Sequence, residues 1–203
     1  MSYRVLNSIS VKNLSGKEFV KDKSSLLVVL VDKSAKKNKL LIHMDKVTKG
    51  GLFKSINSFV KSKAKSLNLQ SPDGVSSKEV LLMKTPDKSN TYLWLDLFKS
   101  ISKIANSLGK QDISVMFACK CPDGKDESWL TEVCGRQIEA SAYIFGSSKN
   151  KTVVKPSLKK ASIIASSVTS SALKKLKTSA KVGFAVGEAM NAAKHLGDMP
   201  ANL

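Results

Sequence analysis

Two histidines and three cysteines are the side chains of this 203-residue sequence best suited to hold a metal ion or act as a nucleophile. His43 and His195 stand 152 positions apart, and neither has the H-x3-H or H-E-x-x-H partner that puts two ligands on one helical face. Both read as structural histidines. Cys119, Cys121 and Cys134 make an odd number at C-x-C spacing, which suits neither a disulfide framework nor a paired C-x2-C zinc site. Cys119-Lys120-Cys121 falls at the end of a predicted strand, where a thiol pair could form but buried, inert cysteine is the commoner case. Gly183-x3-Gly187 is neither a phosphate loop nor a dinucleotide fingerprint, and close helix packing explains it better. No G-x-S-x-G occurs, and the acidic pair Asp126-Glu127 stands at a helix start, where capping accounts for it.

Charge is the next signal. The net charge of +18 comes from 34 basic and 16 acidic residues, a balance that favours a polyanion partner. All the basic residues except Arg4 and Arg136 are lysines, whereas phosphate and base-edge recognition favours the guanidinium fork. The interval from Ala140 to Gly187 holds nine lysines and no Asp or Glu. Lys149, Lys151, Lys155, Lys159, Lys160, Lys174, Lys175, Lys177 and Lys181 are therefore candidate polyanion contacts, binding phosphates at non-specific, salt-sensitive affinity. A solvated lysine face is the plainer reading, because no aromatic residues interleave with them for base stacking.

The elements that must position these residues follow from hydrophobic periodicity. Leu26 to Val31 is a continuous apolar, β-branched run, as expected of a central strand buried on both faces. Tyr3 to Ile9 alternates weakly before it, and Lys39 to His43 after it is a short run that suits either a strand or a helix entry. From Gly50-Gly51, apolar residues Leu52, Phe53, Ile56, Phe59, Val60, Ala64 and Leu67 recur at three- and four-residue steps, predicting an amphipathic helix. Val80 to Met83 reads as a strand, Leu97 to Leu108 as a helix ending at Gly109, and Ile113 to Ala118 as a strand. A helix starts around Asp126 and carries Trp129 to Tyr143, ending near Gly146; Ser147 to Pro156 is a Lys/Ser loop. Ala161 to Ala165 is a strand, Ser166 to Ser171 polar, and the last helix spans about Leu173 to Leu196, closed by Gly197 and Pro200.

Alternating strands and helices predict an α/β, three-layer architecture with helices on both faces of a mixed, mostly parallel sheet. No apolar run approaches the roughly 18 residues needed to span a bilayer, and Met1-Ser2-Tyr3-Arg4 leads into a polar stretch. A cytoplasmic location without membrane contact is the expectation.

The last 16 residues of this pattern carry a resemblance. Gly187 to Asn202, GEAMNAAKHLGDMPAN, is similar to the interdomain helix and following loop of the leucyl aminopeptidase (cytosol aminopeptidase) family. There a helix of small residues runs into a leucine, an asparagine and a Pro-x-Asn element. Leu196, Pro200 and Asn202 match it; Asp198 stands where the family usually has asparagine. The strand Leu26 to Val31, the Asp45 to Gly51 element, the strand Val80 to Met83 and the helix closing on Tyr143-x-Phe145 follow that family's N-terminal domain in order and spacing.

The resemblance implies a macro-domain-like N-terminal domain at 1–170, and at 171–203 an interdomain linker helix with the start of a catalytic domain, the chain being truncated before it. It places the chemistry in that C-terminal domain: two divalent metals (Zn or Mn) held by lysine, aspartates and glutamate, with a catalytic lysine and an arginine beside them, activating a bridging water. None of those motifs is in this sequence, so it implies no catalytic residue, metal ligand or cofactor for this chain. The implied parent is a cytosolic metal-dependent exopeptidase releasing N-terminal amino acids, and the implied partners are its own catalytic domain and sister subunits of a homo-hexamer. A basic nucleic-acid-binding module is the alternative, since some bacterial relatives also bind DNA. A nucleotide or ADP-ribose site is the third reading, for which no glycine-rich phosphate loop stands at a strand end.

Overall fold

The run Leu26–Val31 forms β2, with all six side chains buried, and an element apolar on both faces must be covered on both. In the structure, a computed structural model that describes residues 5–70, 72–86, 88–141, 143 and 156–198, β2 lies between β4 (Glu79–Lys84) and β5 (Asp112–Ala118), parallel to each. β6 (Lys160–Ser166) and β1 (Ser8–Leu14) extend the sheet parallel beyond β5, and β3 (Ser66–Gln70) closes the other edge antiparallel to β4. The sheet order is β1-β6-β5-β2-β4-β3.

Two cores result, one on each side. The first joins Val28, Leu30, Val115 and Ile163 to α4 (Thr91–Ser107), α5 (Glu127–Ser141) and α6 (Ser170–Asp198) through Phe98, Ile138 and Ala180. The second joins Leu27, Val29, Leu82 and Met116 to α1 (Gly16–Phe19), α2 (Lys39–Val47) and α3 (Gly51–Lys61) through Phe19, Met44 and Phe59. This is the three-layer, mostly parallel α/β fold with a long C-terminal helix that the sequence predicts.

Several elements differ from the sequence reading, among them α4, which begins at Thr91 rather than Leu97, and α5, which ends at Ser141 rather than near Gly146. The first strand is Ser8–Leu14 rather than Tyr3 to Ile9, because register against β6 is set by Val11 entering the core. Lys39–Val47 resolves as a helix, and the reason is local: Asn38 Oδ1 accepts hydrogen bonds from the Leu40 and Leu41 amides. α3 stops at Lys61, and Leu67 belongs to β3, where it pairs with Leu82. Helical spacing ran past the break because Ala64 and Leu67 continue the three- and four-residue steps of the stripe, while the i,i+2 alternation of Leu67 and Leu69 belongs to the strand. α6 runs through Gly197 to Asp198 without closing there. Gly146 and the loop residues 147–155 lie outside the described residues.

Candidate functional site

α5 is buried nearly all round, and α6 lies along it so closely that side chains are excluded from the contact. A Cβ at Gly183 would stand 2.0 Å from the Glu132 carbonyl oxygen, and one at Gly187 would stand 2.8 Å from the Arg136 carbonyl oxygen. The Gly183-x3-Gly187 spacing is thus a packing device, as expected. Glu139, fully buried on α5, locks the seam's far end. Its carboxylate accepts from the Val5 and Leu6 amides at 2.6 and 2.9 Å and from Asn191 Nδ2 of α6 at 3.3 Å. One turn on, Lys194 donates to the Ala140 carbonyl, and the Tyr143 hydroxyl donates to Asp198 at 3.4 Å. Glu139 and Asn191 escaped the sequence reading because a lone acid or amide in a helix carries no periodic signal.

Of the terminal motif, Asp198 is therefore tied to Tyr143, just past the end of α5, while Leu196 is 65% exposed. Pro200 and Asn202 lie outside the described residues. Val182, Val186 and Leu196 are exposed on the outer side of α6 and, with Ala185, Ala189 and Ala193, make an apolar stripe about 21 Å long at 1.5 Å per residue.

The fold divides the candidate lysines between two faces. Lys174, Lys175, Lys177 and Lys181 are exposed on the first turns of α6, where Lys175 pairs with Asp126 at 2.8 Å. Lys160 stands at the amino end of β6 in register with Ser8 and Asp112, and Lys159 lies just before it. Lys149, Lys151 and Lys155 lie outside the described residues.

Strand order reverses between β2 and β5, and the carboxyl ends of such strands are the usual ligand site of an open α/β sheet. A cleft of about 200 Å³ opens there, lined by Asn38, Cys119, Cys121, Glu127, Ser166 and Val168 among others. Just past β2, the Asp32 carboxylate accepts from the Ser34 amide at 2.6 Å and from the Lys120 amide at 3.0 Å. Burial, and then the neighbouring Asp126, push the Glu127 carboxyl above the ordinary carboxylate range. Burial raises the Cys119 and Cys121 thiols as well, and Cys134 is buried in the core, where burial raises its thiol too. Among the described residues no group of three His, Cys, Asp or Glu could hold a metal ion, and His43 packs against Gly16 while His195 meets the Tyr143 hydroxyl.

No family model matches the chain. A probable cytosol aminopeptidase of Aromatoleum aromaticum is 27% identical over 116 residues, which are 57% of this chain and 23% of that protein. A tomato leucine aminopeptidase variant superposes over 96% of this chain and 39% of its own, with a TM-score of 0.69 at 18% identity, and the part matched is its N-terminal region. The chain has the N-terminal fold of the leucyl aminopeptidase family. It spans well under two thirds of either aminopeptidase. A Trypanosoma brucei macrodomain in complex with ADP-ribose is similar in fold alone, with a TM-score of 0.62 at 11% identity over 86% of this chain and 69% of its own. On the leucyl aminopeptidase fold, the C-terminal likeness noted in the sequence falls on α6, the helix held to α5 by the glycine seam and the Glu139 and Tyr143 contacts. Among the described residues, no helix of this aminopeptidase-like domain is long and apolar enough to cross a membrane.

A second concavity of this domain was not foreseen. The side chains of β1 alternate, with Ile9 and Val11 on the first core and Ser8, Ser10 and Lys12 on the opposite face. β6 and β5 repeat the pattern in register, placing Ser162 beside Ser10 and Ser114 beside Ser162. α1 to α3 cover the carboxyl half of this face, where Met116 and Ile164 are buried, and its amino half is a polar trough of about 470 Å³. Asp22 sits at its floor, 9% exposed, accepting from Lys12 Nζ and from the Ser114 hydroxyl, both at 2.7 Å. Burial alone would raise its carboxyl; the hydrogen bonds from Lys12, Ser114 and Ser24 outweigh that and hold it below the usual carboxylate range. The sequence signal for the trough is serine at alternate positions of otherwise apolar strands.

Proposed function

We propose that this chain is the non-catalytic, assembly-directing N-terminal domain of a cytosolic leucyl aminopeptidase, a two-metal exopeptidase that releases N-terminal amino acids from peptides. The observation that carries the proposal is α6: one side is welded to α5 by glycines, and the other presents an apolar stripe that a second domain would cover. The boundary falls between 1–170 and 171–203, with α6 as the element that joins the two parts. The partners are the catalytic domain and the sister subunits of a homo-hexamer. The two divalent metals, Zn or Mn, and the residues that bind them belong to the catalytic domain, so this chain alone hydrolyses no peptide. Sequencing the source reading frame beyond the codon for Leu203 tests the proposal. A continuation carrying a Lys/Asp/Glu two-metal set supports it, and a stop codon overturns it.

A nucleic-acid-binding module is the second reading, and the observation in its favour is the exposed row Lys174, Lys177 and Lys181 on α6. Binding to duplex DNA that persists at about 150 mM salt would support it; binding confined to very low salt leaves only a basic surface. The ADP-ribose of the macrodomain neighbour does not transfer. With no glycine-rich phosphate loop at a strand end, calorimetry of this chain with ADP-ribose is expected to show no heat of binding.

A further inference from the structure

The trough at the amino ends of β1, β6 and β5 holds more positive charge than its own carboxylates consume. Four lysines line it, Lys12, Lys23, Lys159 and Lys160, against the carboxylates Asp22 and Asp112. Asp22 is matched by Lys12, and Asp112 Oδ2 accepts from the Ser25 amide at 2.9 Å. Lys23, Lys159 and Lys160 have no ion-pair partner among the described residues. The hydroxyls of Ser10 and Ser162 meet at 3.0 Å, and since one of them donates to the other, the second keeps a proton to give. Ser8 adds another hydroxyl at the rim. The volume, about 470 Å³, is in the range of small-molecule sites and too small for a macromolecular groove.

We propose that this trough is a binding site for a small phosphate-bearing anion, held by the ammonium groups of Lys23, Lys159 and Lys160 and by the Ser10–Ser162 hydroxyl pair. Unpaired lysines around hydroxyl donors on a half-enclosed floor are what a phosphoryl group needs: compensating charge, and hydrogen bonds made shorter and stronger by that charge. Lys12 is a positioning residue, because its ammonium is committed to Asp22, which in turn accepts from the Ser114 hydroxyl on the floor. The site does not depend on the peptidase reading and is separated by the sheet from the α6 lysines.

The test is calorimetric titration of the 203-residue chain with inorganic phosphate and with glycerol 3-phosphate, each at matched ionic strength in chloride. The expected result is saturable one-to-one binding at about millimolar Kd or tighter, weakened roughly tenfold or more in the double variant Lys159→Gln/Lys160→Gln. The variant Lys174→Gln/Lys177→Gln on α6 should bind within about twofold of the unaltered chain, since non-specific charge would be lost equally from both. Preference for the ester over free phosphate identifies a phosphorylated small molecule as the ligand, and equal binding identifies the free anion. A measurement on the unaltered chain guards against misfolded variants: phosphate should shift the amide resonances of residues 8–12 and 160–162 first. Non-saturable binding, equal loss in both double variants, resonance shifts concentrated on α6, or binding to a DNA oligonucleotide only would each overturn the proposal.

Discussion

Asp22 shows how one side chain can organise a surface. A carboxylate 9% exposed is tolerated because Lys12 supplies charge and Ser114, itself fully buried, supplies a hydroxyl donor. Replacing it by alanine leaves that hydroxyl and the Lys12 ammonium without their acceptor, for an expected loss of about 1–3 kcal/mol in urea unfolding. The pH dependence follows from the depressed carboxyl. Its contribution is complete above the unfolded value of about 3.9 and is lost as pH falls through the lower folded value. In Asp22→Asn that part of the acid-side slope should vanish, and an unchanged slope would show that Asp22 is not the group responsible.

The α5–α6 seam is decided at the scale of the element. Gly183 faces the Glu132 carbonyl oxygen with no room for a methyl group, whereas nothing lies within 4 Å of a Cβ at Gly197. Both stand in the same 29-residue helix, so they separate packing from propensity. Gly183→Ala is expected to destabilise by about 3 kcal/mol, the upper part of overpacking costs, and Gly197→Ala to stabilise by up to about 1 kcal/mol. Thermal unfolding of the two variants checks the pair. The sequence exposed the glycine spacing and the helix around it. It did not expose the partner helix, because a glycine records only that something comes close. The same limit applied at β3, where Leu67 fell on the helical stripe until pairing with β4 made it part of a strand.

For the whole molecule, the decisive asymmetry is between covered and bare surface. α4, α5 and α6 cover one sheet face and α1 to α3 only part of the other, which leaves the serine-lysine trough open. The outer stripe of α6 is bare in a different way, apolar rather than polar. Replacing Val182, Val186 and Leu196 by serine should change the stability of this chain by no more than about 0.5 kcal/mol per site, as expected of exposed positions. In the longer chain that the proposed function requires, the same triple variant should loosen the contact between this domain and the second one, seen as two separate thermal unfolding transitions. An unchanged unfolding profile would remove the stripe from that contact.

Local periodicity determined what local periodicity can. The central strand, four of the helices and the α/β alternation were legible, because burial on one or both faces imposes a rhythm on neighbouring residues. The terminal motif pointed to the leucyl aminopeptidase family before any contact was known. Tertiary structure alone decided which polar residues meet. Ser10 and Ser162 are 152 positions apart, yet strand register brings them within hydrogen-bond distance, and the loop between α1 and β2 carries Asp22 back to Lys12 of β1. Asp32 accepting from the Lys120 amide, 88 positions away, and Glu139 gripping α6 belong to the same class. Each depends on loops or helices folding back from distant segments, and no spacing along a chain encodes a distance across it.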